Sequence, residues 1–301
     1  MAANEFSVED ESFRRRVRMS AFVERHFDGC RWAEGPVYFP AHRSLIWSDI
    51  PNDRMLRFDE CSGTISEFRR PSNFSNGNTR DREGRLVTCE QGTRRVTRTE
   101  HDGSVTVLAD RFEGSRLNSP NDVVVARDGS VWFTDPSYGI DSDYEGHRAE
   151  RESDGCHVYR IDPSSGAVRK VADDFAQPNG LAFSPDGARL LVVDSGGTHM
   201  PDGPRHIRSF EVMEGGRLRG GAVFATCTAD FFDGFRFDSE GRIWAGAGDG
   251  VHCLDPAGEL IGKVLVPEPV ANVCFGGERG NRLFICATRS LYSVFLAVTG
   301  A

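Results

Sequence analysis

A short polar residue stands eight positions ahead of a turn glycine five times along the chain: Asn76 with Gly84, Asn121 with Gly129, Asn179 with Gly187, Asp233 with Gly241 and Asn272 with Gly280. The flanking residues share the register. Asn121-Asp-Val-Val-Val-Ala-Arg-Asp-Gly129-Ser-Val-Trp-Phe aligns with Asp233-Gly-Phe-Arg-Phe-Asp-Ser-Glu-Gly241-Arg-Ile-Trp-Ala. Each copy reads as a polar residue, an apolar strand, an acidic-glycine turn and a second apolar strand. Glu34 opens a sixth copy, Glu-Gly-Pro-Val-Tyr-Phe, with His42 where glycine would stand. Successive copies begin 42, 45, 58, 54 and 39 residues apart, close to the period of a four-stranded propeller blade, and the two long intervals hold loop insertions.

The residue types follow from the hairpin each copy must make. Asp-Gly and Glu-Gly suit turns that need positive φ, which glycine adopts without a Cβ penalty. A single blade cannot bury both its faces, so blades must stack in a ring, and closure leaves only short protected edges. The expectation is all-β: one six-bladed β-propeller of four-stranded antiparallel blades over residues 21–301, preceded by a charged N-terminal arm over 1–20, where helix is plausible. Residues 20–33 are expected to complete the last blade.

Charge and composition narrow the partners. With 36 Lys+Arg against 45 Asp+Glu the net charge is −9, which argues against nucleic acid and anionic lipid. No stretch approaches the roughly 18 apolar residues of a membrane span, and the N-terminus lacks the apolar run of a secretory signal, so a soluble cytoplasmic protein is expected. Eight cysteines lie far apart without a C-x-x-C pair and read as small apolar fillers. Lys170 and Lys263 are the only lysines, leaving few candidates for Schiff-base or phosphate-clamping chemistry.

Inner strands of a propeller converge on a central channel, so Glu34, Asn76, Asn121, Asn179, Asp233 and Asn272 should face one end of it. These are two carboxylates and four carboxamides, with no thiol or imidazole among them. All are oxygen donors, which suits a hard divalent cation: Ca²⁺ first, with Zn²⁺, Mn²⁺ or Mg²⁺ as alternatives. Asn and Asp also shape turns on their own. That reading does not account for Glu34 and Asp233 at otherwise Asn-bearing positions, where two like charges would repel unless a cation or protons intervene.

These motifs resemble the SMP-30/gluconolactonase/luciferin-regenerating-enzyme-like family, and most nearly its bacterial gluconolactonases. The resemblance rests on Glu34-Gly-Pro, Asn76-Gly-Asn-Thr, Ser119-Pro-Asn-Asp-Val, Phe133-Thr-Asp-Pro-Ser-Tyr-Gly139, Gln177-Pro-Asn-Gly-Leu and Asp233-Gly, and runs from about residue 30 through nearly the whole chain. It implies that Glu34, Asn179 and Asp233 are direct metal ligands, with Asn121 a fourth ligand or a substrate-facing neighbour. In some members an arginine two places before Asn121 binds sugar hydroxyls; here that place is Ser119, and Arg116 is the substitute.

The chemistry so implied is hydrolysis of a sugar lactone such as D-glucono-1,5-lactone by metal-activated water, with Asp233 or Glu34 as catalytic base. Asn76, Asn121, Arg116, Tyr138 and His199 are the expected substrate contacts. The alternatives are another aldonolactone, a paraoxonase-like ester, or a non-catalytic propeller scaffold for a protein partner; the sequence leaves oligomeric state open. Asp141 to Glu152 mimics an EF-hand loop, but Glu145 and Arg148 depart from that pattern, and the stretch Ile140–Asp154 reads instead as an acidic flap over the channel mouth. Trp32, Trp47, Trp132 and Trp244 are expected to pack between blades.

Overall fold

Short apolar strands separated by tight turns form antiparallel sheets, and the computed structural model, which describes residues 5–18 and 20–301, arranges them as a six-bladed β-propeller. Among the described residues the blades are built, inner strand first, as follows. Blade one runs Ala33–Phe39, Ser44–Asp49, Arg54–Asp59, Ile65–Arg69, and blade two Ser75–Arg80, Leu86–Glu90, Arg95–Thr99, Val105–Ala109. Blade three runs Val123–Val125, Val131–Asp135, Cys156–Ile161, Val168–Phe175, and blade four Pro178–Phe183, Arg189–Asp194, His206–Val212, Leu218–Thr226. Blade five runs Phe235–Phe237, Ile243–Ala247, Gly250–Leu254, Leu260–Val264, and blade six Val270–Gly276, Arg282–Ala287, Ser290–Phe295.

Blade six takes its outer strand from the other end of the chain. Glu24–Asp28 pairs antiparallel with Ser290–Phe295, inside the range expected to close the ring. The turn glycines Gly84, Gly129, Gly187, Gly241 and Gly280 all have positive φ. In the copy without a glycine, the same hairpin is turned by Arg43 at φ 46.

The N-terminal arm is built into the ring. Phe6–Val8 adds a fifth strand to blade five, against Leu260–Val264. The helix considered for the arm is a single 3-10 turn, Glu11–Arg15, capped by the Asp10 carboxylate on the Ser12 N–H. Its Phe13 is 0% exposed, seated beside Trp244 over Gly262, where a Cβ would fall 2.3 Å from the Phe13 ring. Residues 1–4 and 19 of the arm lie outside the described residues.

Trp47, Trp132 and Trp244 are fully buried between blades, as expected, whereas Trp32 departs from that expectation and lines the cavity described below. All eight cysteines are free, and all but Cys61 are buried.

Candidate active site

The polar residue of each copy sits at the start of an inner strand, and local irregularity aims it. Ladder register shifts at Glu34/Val37, Ser75/Asn78, Pro178/Leu181 and Val270/Asn272, the bulges that re-aim side chains. Adjacent inner strands approach so closely that the glycines after Glu34, Asn76, Asn179 and Asp233 have no room for a side chain. A Cβ on Gly35 would lie 2.0 Å from Asn76 O, and one on Gly180 2.4 Å from Asp233 O. Gly77 N–H donates to Asn121 O at 2.7 Å, stitching one blade to the next.

Five of the six ring residues, Glu34, Asn76, Asn121, Asn179 and Asp233, line a cavity of about 300 Å³ at this end of the channel. The sixth, Asn272, donates from Nδ2 to Glu34 Oε1 at 3.1 Å and accepts the Val273 N–H, so it braces the ring instead of facing the cavity. Glu34 Oε2 also accepts the Gly35 N–H at 2.6 Å.

The carboxamide oxygens of Asn76, Asn121 and Asn179 are all buried with no hydrogen-bond partner among the described residues. An unpartnered buried acceptor costs about 1–3 kcal/mol, so three around one cavity are a standing penalty that a bound cation would relieve. The acids agree. Burial, then Asp233 and Asp122, holds the Glu34 carboxyl well above its ordinary range, and burial, then Glu145 and Asp122, does the same to Asp233. Two carboxyls and three carboxamide oxygens form an oxygen-only donor set that fits a hard divalent cation. On this geometry Asn76 joins Glu34, Asn121, Asn179 and Asp233 as a residue able to hold one.

In blades one to four a carboxylate at the end of the second strand holds the loop that enters the ring position. Asp49 accepts the Arg31 N–H; Asp135 accepts those of Asn118 and Ser119; Asp194 accepts those of Ala176 and Gln177; Glu90 accepts from the Asn73 side chain. Burial pushes Asp135 up to about 7. Sequence reasoning missed this brace, although its signal is regular: an acid fourteen or fifteen residues after each of the first four ring residues.

The insert after blade three's second strand lies over the cavity. After the one-turn helix Tyr138–Asp141, the His147 and Ala149 N–H groups return to Gly139 O and Ile140 O. The insert is tied outward by Arg31 over the Tyr144 ring at 4.9 Å, the Phe74–His147 ring contact at 5.1 Å, and Glu152 on the Arg94 guanidinium and the Arg116 N–H. The acids of the EF-hand mimic disperse: Asp141 meets Ser137 and His199, Asp143 accepts the Arg148 N–H, Glu152 meets Arg94, and Glu145 turns into the cavity. Burial pushes the Glu145 carboxyl up to about 7, with Asp141 adding to it. The sequence reading placed the flap but not Glu145.

Of the expected substrate contacts, Asn76, Asn121 and Tyr138 line the cavity, and Arg116 and His199 do not. Arg116 donates to Thr93 O at 3.1 Å and binds the flap's Glu152 through its backbone N–H. His199 lies behind the wall, between Asp141 Oδ2 and Thr198 Oγ1, both at 2.8 Å, and Thr198 in turn meets the Tyr138 hydroxyl at 3.2 Å. The remaining walls are apolar surfaces of Trp32, Phe231, Phe232, Pro269 and Val270, with Asp230, Ser195 and Thr198 among them.

Comparison with known proteins agrees with this architecture. The family described as SMP-30/Gluconolactonase/LRE-like region matches residues 32–289. A gluconolactonase of Zymomonas mobilis subsp. mobilis is 30% identical over 88% of this chain and 78% of its own. The pentonolactonase XacC of Haloferax volcanii is 29% identical over 85% and 81%. The solved structure of a gluconolactonase from Xanthomonas campestris is 36% identical, covers 97% of this chain and 94% of its own, and superposes with a TM-score of 0.90. With its six ring residues and its flap all inside the matched span, the chain belongs to the SMP-30/gluconolactonase/LRE-like family.

Proposed function

We propose that the chain is a metal-dependent lactone hydrolase that opens a sugar lactone, D-glucono-1,5-lactone, to its aldonic acid. The observation that carries this reading is the convergence of three unpartnered carboxamide oxygens and two carboxyls on one cavity. A scaffold would leave those oxygens without a role. Glu34, Asn121, Asn179 and Asp233, with Asn76 beside them, would hold a divalent cation, Ca²⁺ first; such a cation supplies a Lewis acid for a carbonyl oxygen and acidifies water.

The protein's own groups divide the remaining work. Both Glu34 oxygens are held, by Asn272 and by the Gly35 N–H, so Glu34 is fixed in place. Asp233 opens on the cavity and is the better base: it takes the proton of the attacking water as the acyl–oxygen bond of the ring breaks and the ring oxygen leaves as a hydroxyl. Tyr138, Glu145 and Asp230 offer hydrogen-bonding groups for the hydroxyls of a polyol ring against the Trp32 and Phe232 surfaces. The product is a carboxylate, and a wall carrying Glu145 and Asp230 favours its release. Eight free cysteines fit a reducing compartment, the cytoplasm.

The test is turnover on a lactone panel before and after chelation, with metal add-back. Hydrolysis of glucono-1,5-lactone should fall to the spontaneous rate on chelation and return with Ca²⁺, Mn²⁺ or Zn²⁺ to different degrees. Full activity in verified metal-free protein overturns the metal dependence, and no turnover of any lactone by loaded protein overturns the hydrolase. The similarity to a pentonolactonase puts pentono-1,4-lactones on the same panel.

A further inference from the structure

The channel has a second mouth. The later residues of the six inner strands, with the turns that follow them, line a cavity of about 640 Å³ at the end opposite the ring. Four arginines face it: Arg80, Arg82, Arg127 and Arg236. Four arginines on one cavity stand out in a chain of net charge −9. Against them stands one acidic side chain, Asp81. The Asp81 carboxylate is already engaged by Arg85 Nε at 2.7 Å and by the N–H groups of Glu83 and Arg85.

The guanidiniums are positioned but not used up. Arg82 Nε donates to Ala126 O at 3.4 Å, and Arg127 Nη2 donates to Pro185 O, so each reaches from its own blade to the next and keeps other N–H groups free. The Arg80 backbone pairs with Leu86 in the ladder, while its side chain makes no hydrogen bond or ion pair among the described residues. Arg236 stands deepest, with Nη1 donating to Phe235 O at 2.7 Å and lying 3.5 Å from Asp122 Oδ2. Tyr38, Phe183, Phe237 and Phe275 supply apolar wall between these charges.

Several partly free planar forks around one concavity match a tetrahedral dianion, because a guanidinium binds phosphate oxygens in pairs where an ammonium offers a point charge. The aromatic wall adds room for an organic body attached to that dianion. We propose that this mouth is a binding site for a small phosphate monoester of the sugar-phosphate class, held mainly by Arg80, Arg82 and Arg127. It is independent of the lactone chemistry at the other end.

Calorimetric titration of the full chain at fixed ionic strength tests it, with glucose 6-phosphate, inorganic phosphate and gluconate as probes. Glucose 6-phosphate should bind at one site. The double variant Arg80→Ala/Arg127→Ala should weaken it roughly tenfold or more while melting near the wild-type temperature. Asp233→Asn should leave this binding unchanged, which assigns it to the arginine mouth. Gluconate, with no phosphate, should not compete. The proposal is overturned if glucose 6-phosphate shows no saturable binding to 10 mM, if the double variant binds it as well as wild type, or if Asp233→Asn abolishes it. Inorganic phosphate binding as tightly as the ester also overturns it, since the organic body would then contribute nothing.

Discussion

One set of six strands builds two chemically opposite mouths. Where the inner strands begin, four acids line the cavity, Glu34, Glu145, Asp230 and Asp233, with no basic side chain among the lining residues. Where the strands end, four arginines line the cavity, with one acid. The two ends differ also in how their polar atoms are satisfied. At the acidic end, buried carboxamide oxygens are left unpartnered. At the basic end, exposed guanidiniums are anchored to carbonyls of the neighbouring blade. The contrast teaches that in a propeller the place of a residue along the inner strand decides which mouth it serves. Buried oxygens without a protein donor mark an end rich in free acceptors, and surface arginines mark one rich in free donors.

The largest expected effect breaks the comparison at its acidic end. Asp233→Asn keeps size and one oxygen donor but removes the base and a negative charge, so kcat for glucono-1,5-lactone should fall by roughly 10² or more. Arg80→Ala, at the other mouth, should leave kcat within about twofold of wild type. Steady-state kinetics on both variants decide it. Equal losses would mean that the two mouths are not separate sites.

The next effect concerns a charged contact between the ends, Asp122 with Arg236. The Asp122 side chain is 2% exposed, and its Oδ2 has no hydrogen-bond donor; Arg236, at 20%, is its nearest counter-charge at 3.5 Å. Asp122 in turn helps hold Glu34 and Asp233 above their ordinary range. Arg236→Gln strands a buried carboxylate, so the fold should lose about 1–3 kcal/mol. Chemical denaturation of metal-free protein measures it, and an unchanged midpoint would show that Asp122 needs no counter-charge.

What the sequence disclosed about these two ends depended on whether a feature repeats. The ring residues repeat with the blades, so the eight-residue offset to a turn glycine exposed Asn76, Asn121, Asn179, Asp233 and Asn272, and the same strand pattern with His42 at the glycine's place added Glu34 and the sixth blade. The glycines that follow Glu34, Asn76, Asn179 and Asp233 repeat as well, yet their meaning is steric and needs the neighbouring blade to be seen: its backbone at 2.0–2.5 Å for the first three, the Asn272 side chain at 2.0 Å for Gly234. Asn272 shares the register but turns to Glu34, because a bulge sets its direction and a bulge has no residue signature here. Glu145, Arg116 and His199 sit in segments present in single blades, where register says nothing about direction. The arginines of the far mouth occupy strand ends and turns of blades two, three and five only, too few to announce a pattern. In the arm, Phe6–Val8 is too short to read as a strand without Leu260–Val264 to pair with.

The smallest effect sharpens the acidic end, and it is a matter of sign. Burial, and then Asp141, lifts the Glu145 carboxyl from an ordinary 4.5 to about 7 in the folded chain. Between those values the unfolded chain has already released this proton while the folded chain still holds it, so unfolding becomes easier as pH rises from about 4.5 through about 7 and levels off above. Glu145→Gln removes that dependence. In chelated protein the variant and wild type should melt together near pH 4.5, and the variant should melt higher by roughly 2–4 °C at pH 8. Asp135, lifted by its own burial, bends both curves alike, whereas Asp233 loses the push of Glu145 in the variant, so the difference reports Glu145 together with its effect on Asp233. A gap that stays constant from pH 4.5 to pH 8 would mean that Glu145 is solvated in the folded chain and that the flap does not carry it into the cavity.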